Sequence, residues 1–269
     1  MKKIVGVLGV TFCLMLAGCA SQKQDTIEKR NTDISKDLTY DHSMELEYAK
    51  MFAVDYYQND YALVTIADDG KYLIVPEGES VPEDMDKDIT VLQQPIQNIY
   101  LAASAAMDMF VATDALDAVR FSSLKADGWY IEEAKKAMED GDIIYAGKYS
   151  APDYEMILNE NCGLAIENTM ILHTPEVKEQ MEKFNIPVLV DHSSYETNPL
   201  GRTEWVKLYG LLTGHEDQAE QAFDAEAKAF EQVSDRDATG KTVAFFYITT
   251  NGEANVRKSA DYLPKMIEL

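Results

Sequence analysis

Residues 185–214 read NIPVLVDHSSYETNPLGRTEWVKLYGLLTG, a stretch in which a strand, a polar loop and a helix follow one another directly. The apolar run at Pro187–Asp191 predicts a buried strand, and the loop after it is rich in turn-forming Ser, Asn, Pro and Gly. Apolar residues then recur at helical spacing until Gly214, which marks the helix end. These residues are Trp205, Leu208, Tyr209, Leu211 and Leu212. The succession predicts one strand–helix unit of an α/β fold.

The preceding chain repeats this alternation of apolar runs and helical stretches. The predicted strands are Asn98–Ala102, Ala118–Phe121, Asp142–Ala146, Gly163–Glu167 and Pro187–Asp191. The predicted helices between them are Ser104–Thr113, Ile131–Met138, Tyr154–Leu158 and Pro175–Phe184. Such alternation is typical of an open, mostly parallel sheet with helices on both faces, in which ligands bind at the carboxyl ends of the strands.

A different pattern precedes the alternation. Residues 50–75 contain three short runs rich in β-forming residues, separated by the turn residues Gln58-Asn59-Asp60 and Asp68-Asp69-Gly70. This pattern predicts a small antiparallel N-terminal meander. Residues 76–90 are acidic and contain proline, and they predict a surface loop.

The chain after Gly214 predicts a long helix and then a second sheet. His215–Val233 contain no glycine or proline and predict a rod of ~27 Å, with alanine and phenylalanine on one side and acids on the other. KTVAFFYITT at 241–250 predicts a new strand. Because one strand would leave open edges, we expect a truncated second α/β lobe. The predicted domains are a first lobe at 39–214, a connecting helix at 215–235 and an incomplete second lobe at 236–269.

The N-terminus has the layout of a secretory signal. Two lysines precede an uncharged apolar run at Ile4–Leu16, which is shorter than the ~20 residues that a membrane-spanning helix needs. Its end, LAGC at 16–19, resembles the bacterial lipobox, whose cysteine becomes the lipidated first residue of the mature chain. We interpret residues 1–18 as a signal peptide, Cys19 as the lipidation site that anchors the protein outside the cytoplasmic membrane, and residues 19–38 as a flexible tether. The alternative is a buried N-terminal helix with an ordinary cysteine.

Charge and cysteine content narrow the function classes. The formal net charge is −23, and it becomes −25 without the two lysines of residues 1–18. Nucleic acids and anionic lipid surfaces require basic patches, so neither is an expected partner. If Cys13 leaves with the signal and Cys19 takes the lipid, Cys162 remains alone and no intramolecular disulfide can form. We interpret Cys162 as a small buried side chain.

Several stretches together resemble the substrate-binding lipoproteins of ABC importers, in the class that carries iron–siderophore complexes, haem and cobalamin. They are LAGC at 16–19, NIYLAASAAMDMFVATDALDAVRFSS at 98–123, EMILNENCGLAIENTMI at 155–171, the run at 185–214, and the long helix after it. The resemblance implies two α/β lobes bridged by one long helix, with a metal chelate captured between them. It also implies no enzymatic activity, no cofactor of the protein's own, and a monomer that hands its ligand to ABC permease subunits.

The resemblance also implies a surface acid on each lobe that docks on the permease. Aligning the Ser104-Ala105 turn with the family places Met107 where a glutamate is common, and Asp108 next to it. Asp108 is therefore the docking candidate of the first lobe, although the departure at Met107 leaves the position of the acid open. The acid of the second lobe is expected beyond Leu269.

The candidate ligand contacts lie in the loop after the last predicted strand and at the other strand ends. Tyr195 offers a stacking surface, Glu196 an acceptor, and Arg202 a bidentate donor for an anionic group. The other candidates are Ser122, Ser123, Tyr149, Asn168 and Met170. Short polar side chains at such positions can equally cap helices. For Arg202 and for the nearby Glu204, the competing interpretation of a ligand contact is ordinary helix N-terminal chemistry.

Two other function classes stay open. A direct zinc- or manganese-binding lipoprotein would bring several His, Asp or Glu side chains together. The histidines are His42, His173, His192 and His215. They show no H-x-x-H or H-E-x-x-H spacing, and we predict no metal site. A surface enzyme is the third class, although the sequence has no G-x-S-x-G, zinc-protease or phosphate-loop motif.

Overall fold

The computed structural model describes residues 32–234, 240–259 and 262–268. The predicted signal peptide and the predicted lipidation site Cys19 lie outside these residues. The strands of the described part are β1 (Tyr40–Ser43), β2 (Phe52–Tyr57), β3 (Ala62–Ile66), β4 (Gly70–Val75), β5 (Ile89–Gln93), β6 (Ile99–Leu101), β7 (Val119–Ser122), β8 (Ile144–Tyr145), β9 (Gly147–Lys148), β10 (Ala151–Pro152), β11 (Ala165–Asn168), β12 (Val188–Asp191), β13 (Phe246–Ile248) and β14 (Ala254–Val256). The α-helices of the described part are α1 (Met107–Ala112), α2 (Glu132–Asp140), α3 (Tyr154–Asn159), α4 (Pro175–Lys183), α5 (Pro199–Glu204), α6 (Val206–Thr213), α7 (Glu216–Ser234) and α8 (Tyr262–Glu268).

One five-stranded sheet of the described chain is wholly parallel, in the order β12-β11-β6-β7-β8. Helices cover both of its faces. Ile166 of β11 packs in the cluster that contains residues of α1 and α6, whereas the preceding Ala165 packs with residues of α3 and α4. This double coverage confirms the predicted fold class, and the five strands lie within three residues of the predicted bounds.

A second five-stranded sheet of the described residues has the order β1-β2-β3-β4-β5. Strands β1 to β4 are antiparallel neighbours, which confirms the predicted meander, and Asp68 adopts a φ of 59° in the turn between β3 and β4. The prediction of a loop at 76–90 is wrong at its end, because β5 begins at Ile89 and pairs parallel with β4. Ile89 and Val91 pack on the outer face of the meander, and this contact stabilises the added edge strand.

The predicted tether at 19–38 extends too far along the chain. Leu38 is 1% exposed and packs with Tyr57 and Leu73 on the outer face of the meander, with Ile34 beside it. The Tyr57 hydroxyl also donates to the carbonyl of Thr32 at 3.2 Å. The branched apolar side chains of Ile34 and Leu38 hold this segment on the sheet, although its composition is otherwise polar.

The helical stretch at 199–214 forms two helices, not one. α5 and α6 meet at Trp205, where the Leu208 N–H donates to the Trp205 carbonyl in a tighter 3₁₀-type turn. α6 ends as predicted at Gly214, whose φ is +73°. α7 follows at Glu216–Ser234 and confirms the predicted long helix. At Gly210 a Cβ atom would lie 2.4 Å from the Cβ of Ala219, so α6 and α7 are in close contact.

Residues 240–259 form the short antiparallel hairpin of β13 and β14, in place of the predicted strand over 241–250. Its large side chains are exposed, with Phe246 and Tyr247 at 54% and 56%. The division into a first lobe, a connecting helix and a second lobe stays a prediction. Among the helices of the described residues, none combines the length and the apolar character needed to cross a membrane.

Candidate functional site

The parallel sheet brings five strand ends of the described chain to one side. Because all of these strands run in the same direction, the turns that follow them meet there. We call this region the carboxyl edge, and its turns are residues 102–106, 122–131, 146–153, 168–174 and 192–198. All of the sequence-predicted ligand contacts except Arg202 lie in these turns.

Glu196 has a structural role in the fold. It is 4% exposed, and its carboxylate accepts hydrogen bonds from the backbone N–H groups of Lys50 and Met51 at 2.9 and 2.8 Å. The indole N–H of Trp205 donates to the same carboxylate at 3.2 Å. Glu196 follows the 3₁₀ turn at Ser193–Tyr195, and its side chain points inward, toward the segment before β2. Contact of Glu196 with a ligand stays a prediction.

Glu204 continues the same arrangement from α5. It is fully buried and accepts from the backbone N–H groups of Glu47, Tyr48 and Ala49 at 2.7 to 2.8 Å. Lys207 lies 3.7 Å away. Together, Glu196 and Glu204 accept from five consecutive N–H groups, those of residues 47–51. We call this arrangement the carboxylate clamp.

The two serines at the end of β7 shape their own turn. Ser122 is fully buried, and its hydroxyl accepts from the Trp129 indole at 3.1 Å and from the Leu124 N–H at 3.0 Å while donating to the Leu124 carbonyl. Ser123 is 7% exposed, and its hydroxyl is 3.5 Å from the carbonyl of Ala102. Burial and internal bonds give both hydroxyl groups a structural role, and contact of either serine with a ligand stays a prediction.

Asn168 and Tyr149 are half-buried at the carboxyl edge. The Asn168 side chain accepts from the Met170 N–H at 2.9 Å and donates to the Ala102 carbonyl at 3.0 Å, which is the capping role considered as its alternative. Tyr149 packs against the cluster between the sheet, α3 and α4. Contact of either residue with a ligand stays a prediction.

Four large apolar side chains of the carboxyl edge are exposed. Met170 and Tyr195, both predicted ligand contacts, are 49% and 47% exposed. Sequence reasoning missed Leu172 at 50% and Tyr130 at 98%. Tyr130 directly follows the buried Trp129, and the sequence alone does not show which of two adjacent aromatic residues enters the core.

A groove of about 400 Å³ lies beside the carboxyl edge, between α1, α5, α6 and α7. It begins at Ala105 and Ser193, which both belong to turns after strands. Its charged lining residues are Asp108, Arg202 and Glu226. Asp108, predicted to dock on a permease, and Arg202, predicted to contact a ligand, thus share one groove. Met107, by contrast, is fully buried.

Two titratable side chains near the carboxyl edge are buried without partners. Neither carboxyl oxygen of Glu167 nor either ring nitrogen of His192 has a hydrogen-bond partner among the described residues. Burial raises the pKa of Glu167 to about 8. Burial also lowers the pKa of His192, against the opposing effect of Asp69. Glu167 is therefore largely a neutral acid at pH 7 and His192 a neutral imidazole.

The remaining candidate groups do not form a cluster. Within the described ranges, no group of three or more His, Cys, Asp or Glu side chains could hold a metal ion. His42 pairs with Asp41 at 2.9 Å, and the Nδ1 atom of His215 lies 2.9 Å from the Thr213 carbonyl. Cys162 is half-buried, and burial raises the pKa of its thiol to about 11. The thiol is therefore protonated at neutral pH and a poor nucleophile.

Comparison with known proteins supports the fold. No family model matches the chain. An uncharacterised lipoprotein of Methanocaldococcus jannaschii is 24% identical over 255 residues, which cover 83% of this chain and 60% of that protein. The haem-binding protein HutB of Vibrio cholerae, which is periplasmic, has a TM-score of 0.51 at 16% identity, over 64% of each chain. The siderophore-binding protein BauB, solved with two molecules of acinetobactin and ferric iron, has a TM-score of 0.50 at 14% identity, over 64% of this chain and 59% of its own.

These similarities confirm the sequence-based resemblance at the level of the fold. The chain shares the α/β fold of the periplasmic haem-binding protein HutB and of the siderophore-binding protein BauB, and its relative in Methanocaldococcus jannaschii is named a lipoprotein. The chain spans 60% of the length of that relative.

Proposed function

We propose that this chain belongs to an extracytoplasmic solute-binding lipoprotein, which captures a metal chelate of the ferric siderophore, haem or cobalamin type and delivers it to an ABC importer. The observation that carries the proposal is the carboxyl edge of the parallel sheet, which presents exposed tyrosine, methionine and leucine side chains in a fold shared with a haem-binding protein. Open α/β sheets bind ligands at this edge. A binding role also explains why polar residues at this edge form hydrogen bonds within the chain, because these bonds keep the turns rigid.

The buried turns support binding without large rearrangement. Ser122 and Asn168 hold their turns through internal hydrogen bonds, so the exposed side chains project from a fixed frame. α7 is also held against α6. The ammonium of Lys207 on α6 contacts Glu220 on α7 at 3.1 Å, and Ala219 of α7 packs closely on Gly210 of α6. We expect a small movement on ligand binding, since a preorganised site loses little entropy.

Membrane attachment and docking complete the proposed role. Lipidation of Cys19 after removal of residues 1–18 would tether the protein to the outer side of the membrane, and the lipoprotein name of the relative supports this proposal. Asp108 is exposed at the start of α1 and is the proposed docking residue for basic groups of the permease. Replacing Cys19 with Ser should release the protein into the soluble fraction, and continued membrane association would contradict lipid anchoring.

The decisive experiment is a binding screen of the full-length chain against ferric siderophores, haem and cobalamin, read by tryptophan fluorescence. The two tryptophans differ in position. Trp129 bonds to Ser122 at the carboxyl edge, whereas Trp205 lies in the core beside Glu196. A ligand at the carboxyl edge should quench Trp129 most strongly, so Trp129→Phe should remove most of the saturable signal while the ligand absorbance still reports binding.

The same screen separates the proposal from its alternative. A chelator-washed sample that binds no chelate, but binds zinc or manganese alone, would replace the proposed function with direct metal capture. A lack of response to every chelate, by both fluorescence and ligand absorbance, would overturn the proposed function.

A further inference from the structure

We propose that the ligand is an uncharged or singly charged chelate with a broad apolar face, and that Tyr130, Met170, Leu172 and Tyr195 form the surface on which it lies. We call these four residues the apolar rim. The inference deepens the proposed function and rests on it. It excludes polyanionic chelates, such as iron held by three catecholates or by citrate.

The apolar rim contains half of the large apolar side chains that are exposed in residues 32–234. Residues 32–234 leave eight such side chains exposed, and four of them belong to the rim. The other four are Val81, Leu158, Phe184 and Val233. The rim residues come from three separate turns, after β7, β11 and β12, so the topology of the sheet brings them to one edge. We take exposed apolar side chains that share one edge of the sheet as a binding surface.

Two of the rim residues are held in place from below. The ring of Tyr195 packs edge-on against the buried His192, with 5.3 Å between ring centroids and 82° between ring planes. The backbone of Met170 is fixed by the hydrogen bond from its N–H to Asn168. A fixed aromatic ring and a pliable thioether suit a rigid ligand with an apolar face, because stacking requires orientation and methionine fills the remaining gaps.

The turns of the carboxyl edge are close to neutral, in a protein of formal charge −23. Their cations are Lys125 and Lys148, and their acids are Asp127, Asp153 and Glu196. Asp153 caps α3 and Glu196 belongs to the carboxylate clamp, so both acids already accept hydrogen bonds within the chain. Two lysines do not balance a trianionic chelate beside an acidic protein, and one remaining acid does not balance a polycation.

The groove beside the carboxyl edge does not change this balance. Arg202 is its cation, and it shares the groove with the carboxylates of Asp108 and Glu226. The other lining residues are uncharged, and most of them are alanine, valine or methionine. A ligand that extends from the rim into the groove therefore contacts mostly apolar surface, and the groove has more acidic than basic side chains.

The test compares chelates that differ in charge, by isothermal titration of the full-length chain at pH 7. The probes are a neutral ferric trihydroxamate, cobalamin, ferric citrate and a trianionic ferric tris-catecholate. We expect one of the two uncharged probes to bind at least about tenfold more tightly than both anionic probes. Tighter binding of either anionic probe would overturn this inference while leaving the proposed function intact. No binding of any of these probes, together with no response to haem in the fluorescence screen, would overturn the proposed function, and this inference with it.

A pair of variants locates the contact. The double variant Tyr130→Ser and Tyr195→Ser should weaken binding of the preferred probe by about tenfold or more, because two stacking surfaces are lost. The matched control changes Leu158→Ser and Phe184→Ser, two exposed apolar residues at the far ends of α3 and α4. The control should shift the Kd by less than about twofold. Equal weakening in both double variants, at equal melting temperatures, would overturn the assignment of the rim.

Discussion

Two regions of the described chain bury carboxyl groups in opposite surroundings. In the carboxylate clamp, Glu196 and Glu204 accept hydrogen bonds from the consecutive N–H groups of residues 47–51. In the layer beneath α3 and α4, Glu167 is equally buried, yet neither of its oxygens has a partner among the described residues. The comparison shows that burial does not decide what a carboxyl group does. The donors around it decide its role, because the clamp carboxyl groups bind backbone N–H groups, whereas burial without donors raises the pKa of Glu167.

The most damaging change should be Glu204→Ala, which removes the acceptor for three consecutive backbone N–H groups, of which that of Ala49 is buried. We expect the free energy of unfolding to fall by about 4 kcal/mol, because the three donors lose their shared acceptor and the N–H group of buried Ala49 is left without one. Urea denaturation measures the loss, with Glu139→Gln on the exposed face of α2 as a control. A loss below about 1 kcal/mol would show that the clamp does not hold the segment before β2.

Glu167→Gln should raise the free energy of unfolding, whereas Glu204→Ala lowers it, and the size of the increase should depend on pH. The pKa of Glu167 is about 8 in the folded chain, against an ordinary value of 4.5. Between these two values the folded state holds a proton that the unfolded state has released. Stability therefore falls as pH rises, by up to roughly 1.4 kcal/mol per pH unit, and this fall ends above about pH 8.

The variant has no proton to release, so it should lose this pH dependence. Relative to the parent chain, Glu167→Gln should gain about 2–3 kcal/mol between pH 5 and pH 7. The measurement is urea denaturation at both pH values, and Glu139→Gln should run parallel to the parent. Parallel curves for the parent and Glu167→Gln would mean that Glu167 has acquired partners, such as buried water, that keep it ionised.

Glu196→Gln tests the weaker half of the clamp. The amide oxygen can still accept from Lys50 or Met51, while the amide NH₂ group now faces N–H donors. We expect a loss of about 1–2 kcal/mol in the free energy of unfolding, with the fluorescence of Trp205 altered because its indole N–H contacts the same carboxylate. A loss larger than that of Glu204→Ala would reverse the ranking of the two anchors.

The smallest effect should come from Lys207→Met. The Lys207 ammonium lies 3.7 Å from Glu204 but 3.1 Å from Glu220, and it sits over the ring of Phe223. Methionine retains most of the apolar stem, so the expected loss is at most about 1 kcal/mol by urea denaturation. A loss approaching that of Glu204→Ala would show that the lysine, and not the backbone N–H groups, stabilises the buried carboxylate.

The parallel sheet could be predicted from the sequence because its signals are local. Apolar runs, helical spacing and Gly214 all act within a few residues, and they located each strand and helix of the sheet. The roles of polar residues could not be predicted in the same way. Glu196 and its donor Lys50 are 146 positions apart in sequence, and only the folded chain brings them together. The exposure of Tyr130 next to the buried Trp129 was hidden for the same reason.

The contact between Gly210 and Ala219 has a mechanical consequence. A methyl group at position 210 would collide with Ala219, so Gly210→Ala would tilt α7 away from α6. From Ala219 to the end of α7 at Ser234 the helix extends roughly 22 Å. The contact lies near one end of this rigid helix. A change of a few degrees in the helix direction there would therefore move its far end by more than an ångström. The direction of α7 therefore depends on the absence of a side chain at Gly210.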